Sequence, residues 1–336
     1  MADFQETQER RRSRKLDYRD LKKHYVRVNG WLPIFQRYAE MRGRDLRYMT
    51  LCSKEAIDVR YFASKGVLAR NEERNAYPML SFVESNVEDY AVIAETLGRC
   101  RLGVHAKLED VLLNDGHDEH AALTHSFPYD IVNLDFCGEV MPKQDHPYSK
   151  TIKCIERIVQ LQHEKDPARE WHIFLTFRTH RVQHNEEANE QLREILDSNL
   201  TNNVLKAAYG QRAVPASLLS SEYPEFLRLG VAKYIAYCAE RCGYRMTLES
   251  SWKYGRHQGS YHMVKLVAGL KPVVGPRSLP NPAIVHREYE SAVAGLFTSA
   301  ATDVDAALAD PVVSKAIADE LAPVIKELED LRVVTD

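Results

Sequence analysis

From residue 46 onward, short apolar runs rich in β-branched and aromatic residues alternate with amphipathic stretches of helical period. That is the pattern of a parallel sheet with crossover helices. Residues 46–51 predict a first strand, and residues 54–65 a helix closed by Gly66. Residues 79–84 and 87–97 repeat the unit, again with a glycine, Gly98, at the helix end. Residues 101–105 predict a third strand and 108–113 a short helix. Two further strands, 129–134 and 171–177, are separated by a helix over 148–164. Helices over 185–196 and 222–241 follow. The last two apolar runs, 244–254 and 260–270, flank Gly255-Arg256-His257-Gln258-Gly259 and predict a β-hairpin.

The two ends of the chain carry a different pattern. Between residues 18 and 41, Leu21, Tyr25, Val28, Leu32, Phe35 and Tyr38 recur at near-helical spacing, with a break around Asn29-Gly30 and Pro33 that predicts two short helices. Residues 271–282 hold four prolines in twelve positions and predict an extended linker. Beyond it, alanine-rich helical stretches place Ile317, Leu321, Val324, Ile325 and Leu328 on one face, which can pack on this chain, on a second copy or on another protein. The expected organisation is a helical N-terminal extension (1–45), an α/β domain (46–271), a linker (272–282) and a helical tail (283–336). The fold class expected is α/β, a Rossmann-like and mostly parallel sheet with a C-terminal antiparallel hairpin strand and helical extensions at both ends.

Composition narrows the function. Hydrophobic residues at 44% and charged residues at 28% suit a globular chain. With 45 Lys plus Arg against 48 Asp plus Glu, the net charge is −3, so no global field steers the protein onto nucleic acid. Any such contact is local, and the basic run at residues 10–15 is either a phosphate contact or a solvated tail. No uninterrupted apolar run reaches the roughly 18 residues that cross a bilayer, and the polar start has no signal-peptide core. Six cysteines without a dense framework suit a reducing compartment, so a cytoplasmic location is expected. Cys238 and Cys242 stand four apart, but no second Cys/His pair at zinc spacing follows, and no metal is expected. The chain also lacks a nucleophile elbow and a phosphate-binding glycine-lysine loop, which argues against hydrolase and ATPase chemistry.

Ligands of open parallel sheets lie beyond the carboxyl ends of the strands, so the strand-to-helix turns are where chemistry is sought. The first turn, Leu51-Cys52-Ser53-Lys54-Glu55-Ala56, contains no glycine. Ser53 can cap the following helix, and Lys54 either reaches a carboxylate or phosphate or is simply exposed. The second strand ends in Phe82-Val83-Glu84-Ser85-Asn86, with a carboxylate where nucleotide-binding α/β domains hold the ribose hydroxyls. Glu84 can accept two hydrogen bonds from a vicinal diol, or merely open the next helix. Glu109 and Asp110 follow the third strand, at a helix start whose dipole favours acids. The fourth strand closes on Asn133-Leu134-Asp135-Phe136-Cys137-Gly138, either an acidic-aromatic substrate motif or a capped turn with Phe136 and Cys137 in the core. Arg178, His180 and Arg181 cluster positive charge after the fifth strand, which suits a phosphate-bearing substrate or a solvated turn. The hairpin loop at 253–262 mixes aromatics and cations, a composition that can stack bases.

The order of elements over residues 46–271 resembles the class I S-adenosylmethionine-dependent methyltransferases, more in topology than in motifs. The run Asp135-Phe136-Cys137-Gly138 is similar to the Asp-Pro-Phe-Gly motif of tRNA guanine dimethyltransferases, without its proline. The resemblance implies S-adenosylmethionine as cofactor. The backbone around Cys52, Ser53 and Lys54 would take its methionine moiety, Glu84 its ribose and Glu109 the neighbourhood of its adenine, with Asn133 in the same cofactor-binding set. It further implies that Asp135 orients or deprotonates the acceptor and that Phe136 stacks on it, while Arg178, His180 and Arg181 face a nucleic-acid or nucleotide-like substrate. The glycine-free first turn departs from the family's glycine-rich loop. It supports an alternative: a catalytically degenerate scaffold or sensor that binds a partner protein or another adenosine-containing ligand.

Overall fold

The computed structural model describes residues 20–142, 149–180, 186–198, 218, 222–255, 262–273 and 282–335. The chain opens with α1 (Leu21–Val26), a π-helical turn (Arg27–Trp31) and α2 (Leu32–Arg42). Then come β1 (Tyr48–Thr50), α3 (Ile57–Ser64), β2 (Ala76–Glu84), α4 (Val87–Leu97), β3 (Arg99–His105), α5 (Leu108–Leu113) and α6 (His120–Ser126). Next are β4 (Ile131–Glu139), α7 (Lys150–Lys165), β5 (Trp171–Arg178), α8 (Glu186–Asp197), α9 (Tyr223–Arg241), β6 (Tyr244–Tyr254) and β7 (Met263–Pro272). The chain closes with α10 (Pro282–Thr298), β8 (Thr302–Asp303), α11 (Val304–Leu308) and α12 (Pro311–Thr335).

These strands form one sheet in the order β3-β2-β1-β4-β5-β7-β6-β8. The first five pair in parallel, and β7 runs antiparallel to both β5 and β6. The expected Rossmann-like, mostly parallel sheet with an antiparallel hairpin strand is therefore the observed fold. Helices α4 and α5 fall on the residues their pattern predicts, and Asn86 caps α4 by accepting from the Glu88 and Asp89 amides. Gly98 closes α4 at φ +64°, where an added Cβ would meet the Asn75 carbonyl at 2.0 Å. The π-turn, α6 and β8 have no counterpart in the sequence reading. The loop at 256–261, most of the proline-rich linker and the basic run at 10–15 lie outside the described residues. No helix among the described residues is long and apolar enough to cross a membrane.

Strand alternation sends side chains into two cores. Met49, Val132, Leu134, Ile173, Leu175, Phe177, Leu266 and Ala268 face one, beneath helices α5 to α10. Tyr48, Ile131, Phe174 and Val267 face the other, with Trp31, Phe35, Phe62 and the α12 residues Leu321, Val324 and Leu328. The apolar face of the tail is thus covered by its own chain. Glu327 holds both Arg60, a fully buried guanidinium at 2.9 Å, and Arg70 at 3.2 Å, while Lys65 pairs with Glu320 and Lys22 with Asp305. The first and last helices are therefore walls of the same core as the sheet.

Gly30 in the π-turn lies against the Trp252 indole, where a Cβ would stand 2.3 Å from the ring. Gly30→Ala should cost about 1–3 kcal/mol, read as a lower urea midpoint at unchanged slope. His24 on α1 is buried with both ring nitrogens unpartnered among the described residues, and burial, then Arg27 and Lys65, pull its pKa down to about 3. The unfolded chain protonates this imidazole near pH 6.5, before the native state does, so stability is lost as pH falls from about 6.5 towards 3, at up to ~1.4 kcal/mol per pH unit. Urea unfolding at pH 7 and pH 5 should show that loss, and His24→Phe should remove most of it.

Candidate functional site

At the carboxyl ends of β1, β2 and β4, where the strand order reverses between β1 and β4, the fold leaves a cavity of about 600 Å³. That volume is within the range of small-molecule and cofactor sites. Cys52, Ser53, Lys54, Glu84, Glu109, Asn133, Asp135, Phe136 and Arg178 all line it. His180 does not; it is exposed, with its ring 6.1 Å from that of His262. Arg181 lies outside the described residues.

Each wall has a local cause. The β1–α3 loop reaches the cavity because α3 starts only at Ile57, so Ser53 is not its cap. Instead the Ser53 carbonyl accepts from the Ala56 amide at 2.8 Å, and Ala56 takes a left-handed φ of 47°, a conformation glycine adopts without strain. Burial pushes the Cys52 thiol well above its usual range, so it serves as a small apolar wall. At the end of β2, Glu84 Oε1 accepts from the Asn86 amide at 2.6 Å. Oε2 has no protein partner among the described residues. Glu109, on the first turn of α5, accepts from Thr151 Oγ1 of α7 at 3.0 Å.

Beneath the loop lies a polar cluster. Asp58 Oδ2 accepts from Tyr48 Oη at 2.6 Å, Thr50 Oγ1 at 3.0 Å and Asn133 Nδ2 at 3.3 Å. Asn133 is buried, yet its Oδ1 has no donor among the described residues. One strand further, register aligns Asp135 with Thr176 of β5, and Thr176 with Lys265 of β7. Lys265 is fully buried, its ammonium 4.6 Å over the Trp31 ring and 5.7 Å over that of Tyr254. Burial opposes charge on Asp135, but Lys265, Lys23 and Arg27 outweigh it and hold the carboxyl below its usual value. Burial lowers Lys265 to about 8, despite Asp135.

The model of a protein family described as PP_RS20740-like matches residues 21–327, nearly the whole chain. The chain belongs to the PP_RS20740-like family. No curated protein matches it. Two solved structures are similar in part. One is M. jannaschii TYW2 in complex with AdoMet, 11% identical at a TM-score of 0.34, covering 71% of this chain and 74% of that one. The other is the plantazolicin methyltransferase BamL in complex with a triazolic desmethylPZN analog and SAH, 8% identical at 0.38, covering 77% and 89%.

In this PP_RS20740-like protein, several cavity residues escape a reading confined to strand ends. Lys23, Arg27 and Trp31 line the cavity from α1 and the π-turn, four residues apart and hence on one helical face. Asp58, and Lys265 behind the cavity wall, had a signal: charged residues inside otherwise apolar segments, Asp58 with Arg60 in Ile57–Phe62 and Lys265 in Val264–Leu270.

Proposed function

We propose that this PP_RS20740-like protein binds S-adenosylmethionine in the cavity and transfers its methyl group to a nucleic-acid or nucleotide-like acceptor. One observation carries the reading: a single cavity at the switch point of the sheet is lined by Glu84 at the β2 end and by Asp135 and Phe136 at the β4 end. The donor set suits a zwitterionic nucleoside. Glu84 is anchored through one oxygen and keeps the other for a ribose diol, and the orphaned Asn133 Oδ1 awaits a donor. Both charge signs line the walls, among them Lys54 and Lys107 with Glu55 and Asp89.

S-adenosylmethionine, when bound, supplies a methyl group made electrophilic by its sulfonium. Asp135, held ionised by its cationic neighbours, accepts a hydrogen bond from the acceptor's N–H or O–H and takes its proton. Phe136 forms a flat wall against which a base packs. Arg178, exposed at the rim, draws a phosphate to the mouth. The protein's contribution is orientation and exclusion of water.

Titration calorimetry with S-adenosylmethionine and S-adenosylhomocysteine tests the reading. Both should bind, and Glu84→Ala should weaken them tenfold or more, about 1.4 kcal/mol. Absence of heat and of a melting shift with either ligand at millimolar concentration would overturn it. The glycine-free loop with Ala56 in the left-handed region favours a second reading, a non-catalytic sensor of another adenosine-containing ligand. Binding of adenosine nucleotides but not of S-adenosylmethionine would select it.

A further inference from the structure

Arg27, Lys23 and Lys265 all act on the Asp135 carboxylate, and Asp20, at the cap of α1, acts on Lys265 as well. Arg27 lines the cavity at 7% exposure, its Nε has no acceptor, and no ion pair to it forms among the described residues. The Lys265 ammonium is fully buried and also lacks an acceptor among the described residues, packed instead on Trp31 and Tyr254. Guanidinium and ammonium groups can only donate, so the partner missing from this end of the cavity is an acceptor. Buried charges are expected to be paired, and Arg27, which lines the cavity with its Nε unbonded among the described residues, points to an anion as that acceptor.

We propose that the β4 end of the cavity is an anion seat, in which Arg27, assisted by Lys23 from the same helical face, grips a phosphate or carboxylate group carried by the methyl acceptor. Lys265 acts from behind Trp31 as a positioning residue that keeps Asp135 ionised beside that group. The π-turn is what brings Arg27 here: the Leu32 amide bonds to the Arg27 carbonyl, five residues back, and Trp31 lies against the sheet by stacking on Phe174 at 5.3 Å. The inference rests on the proposed methyl transfer only in calling the anion's carrier the acceptor; the seat itself follows from the unbonded donors of Arg27 and Lys265 among the described residues.

The test uses the full chain, saturated with S-adenosylhomocysteine at neutral pH, and titrates inorganic phosphate and, separately, citrate. One or both should bind alongside the nucleoside, the tighter of the two naming the anion. Arg27→Gln should weaken that binding tenfold or more while S-adenosylhomocysteine affinity changes less than twofold, and Lys23→Gln should weaken it by a smaller factor. Without any ligand, Arg27→Gln should melt at or above the wild-type temperature, because an unpaired buried cation is removed; a purely structural arginine would give the opposite shift. The proposal is overturned if neither anion binds the wild type, if Arg27→Gln binds it equally well, or if the anion displaces S-adenosylhomocysteine, which would assign the cations to the cofactor's own carboxylate. Should S-adenosylhomocysteine fail to bind while phosphate binds in an Arg27-dependent way, the methyltransferase reading falls and the anion seat stands.

Discussion

Asp135→Asn is expected to leave S-adenosylhomocysteine affinity within twofold of the wild type and to reduce methyl transfer about 10²–10⁴-fold, the usual contribution of a positioned proton acceptor. The asparagine keeps the shape of the side chain and its ability to accept a hydrogen bond, but it cannot take the acceptor's proton. It also leaves the Lys265 ammonium, which Asp135 supports electrostatically, without that negative charge. A mild loss of stability should therefore accompany the loss of turnover. Single-turnover assays with methyl-labelled S-adenosylmethionine against pooled RNA, DNA and nucleotides, run beside calorimetry, separate the two effects. Undiminished transfer by the variant would remove Asp135 from the mechanism.

The largest effect on stability should come from Asp130→Ala, about 3–5 kcal/mol. This carboxylate is completely buried. Its Oδ1 accepts from Arg44 Nη2 at 2.8 Å and Arg169 Nη1 at 2.9 Å, and its Oδ2 from Arg44 Nη1 at 3.0 Å and the Arg47 amide at 2.9 Å. It joins the entry of β1 to the entry of β4, at the end of these strands remote from the cavity, so it fixes the pairing on which the switch point depends. Alanine would remove the acceptor shared by two guanidinium groups and a backbone donor. Denaturant unfolding at pH 7 measures the cost, and a change below about 1 kcal/mol would show that these arginines find other partners.

The sheet was legible because each of its central strands is a short apolar run between a helix and a turn, and the alternation from residue 46 to 270 carries over almost element by element. The cavity was partly legible for the same reason: Glu84, Asn133 and Asp135 end or follow apolar runs, so their position at the carboxyl edge follows from the strands themselves. What stayed hidden was every contribution that crosses from one segment to another. Nothing local in Lys23-His24-Tyr25-Val26-Arg27 reveals that the helix will be laid across the sheet, since its apolar spacing is common to any amphipathic helix. Ser53 illustrates the reverse error, in which a good capping residue is overridden by a loop that runs on to Ala56 before the helix begins. Lys265 was concealed by its neighbours, for a run of apolar β7 residues reads as a strand with or without one lysine in it.

The clasp between Glu327 and the buried Arg60, together with the packing of α12 on α1 and α3, bears on how the molecule is made. A ribosome delivers the π-turn that carries Arg27 before the sheet, and the helix that packs on α1 after it. Until residues around 320–328 emerge, Arg60 lacks its counter-ion and the apolar surface meant for Leu321 and Val324 lies bare. A nascent chain that has not yet reached residue 320 would thus display bare apolar surface, a target for chaperones and proteases, until α12 docks.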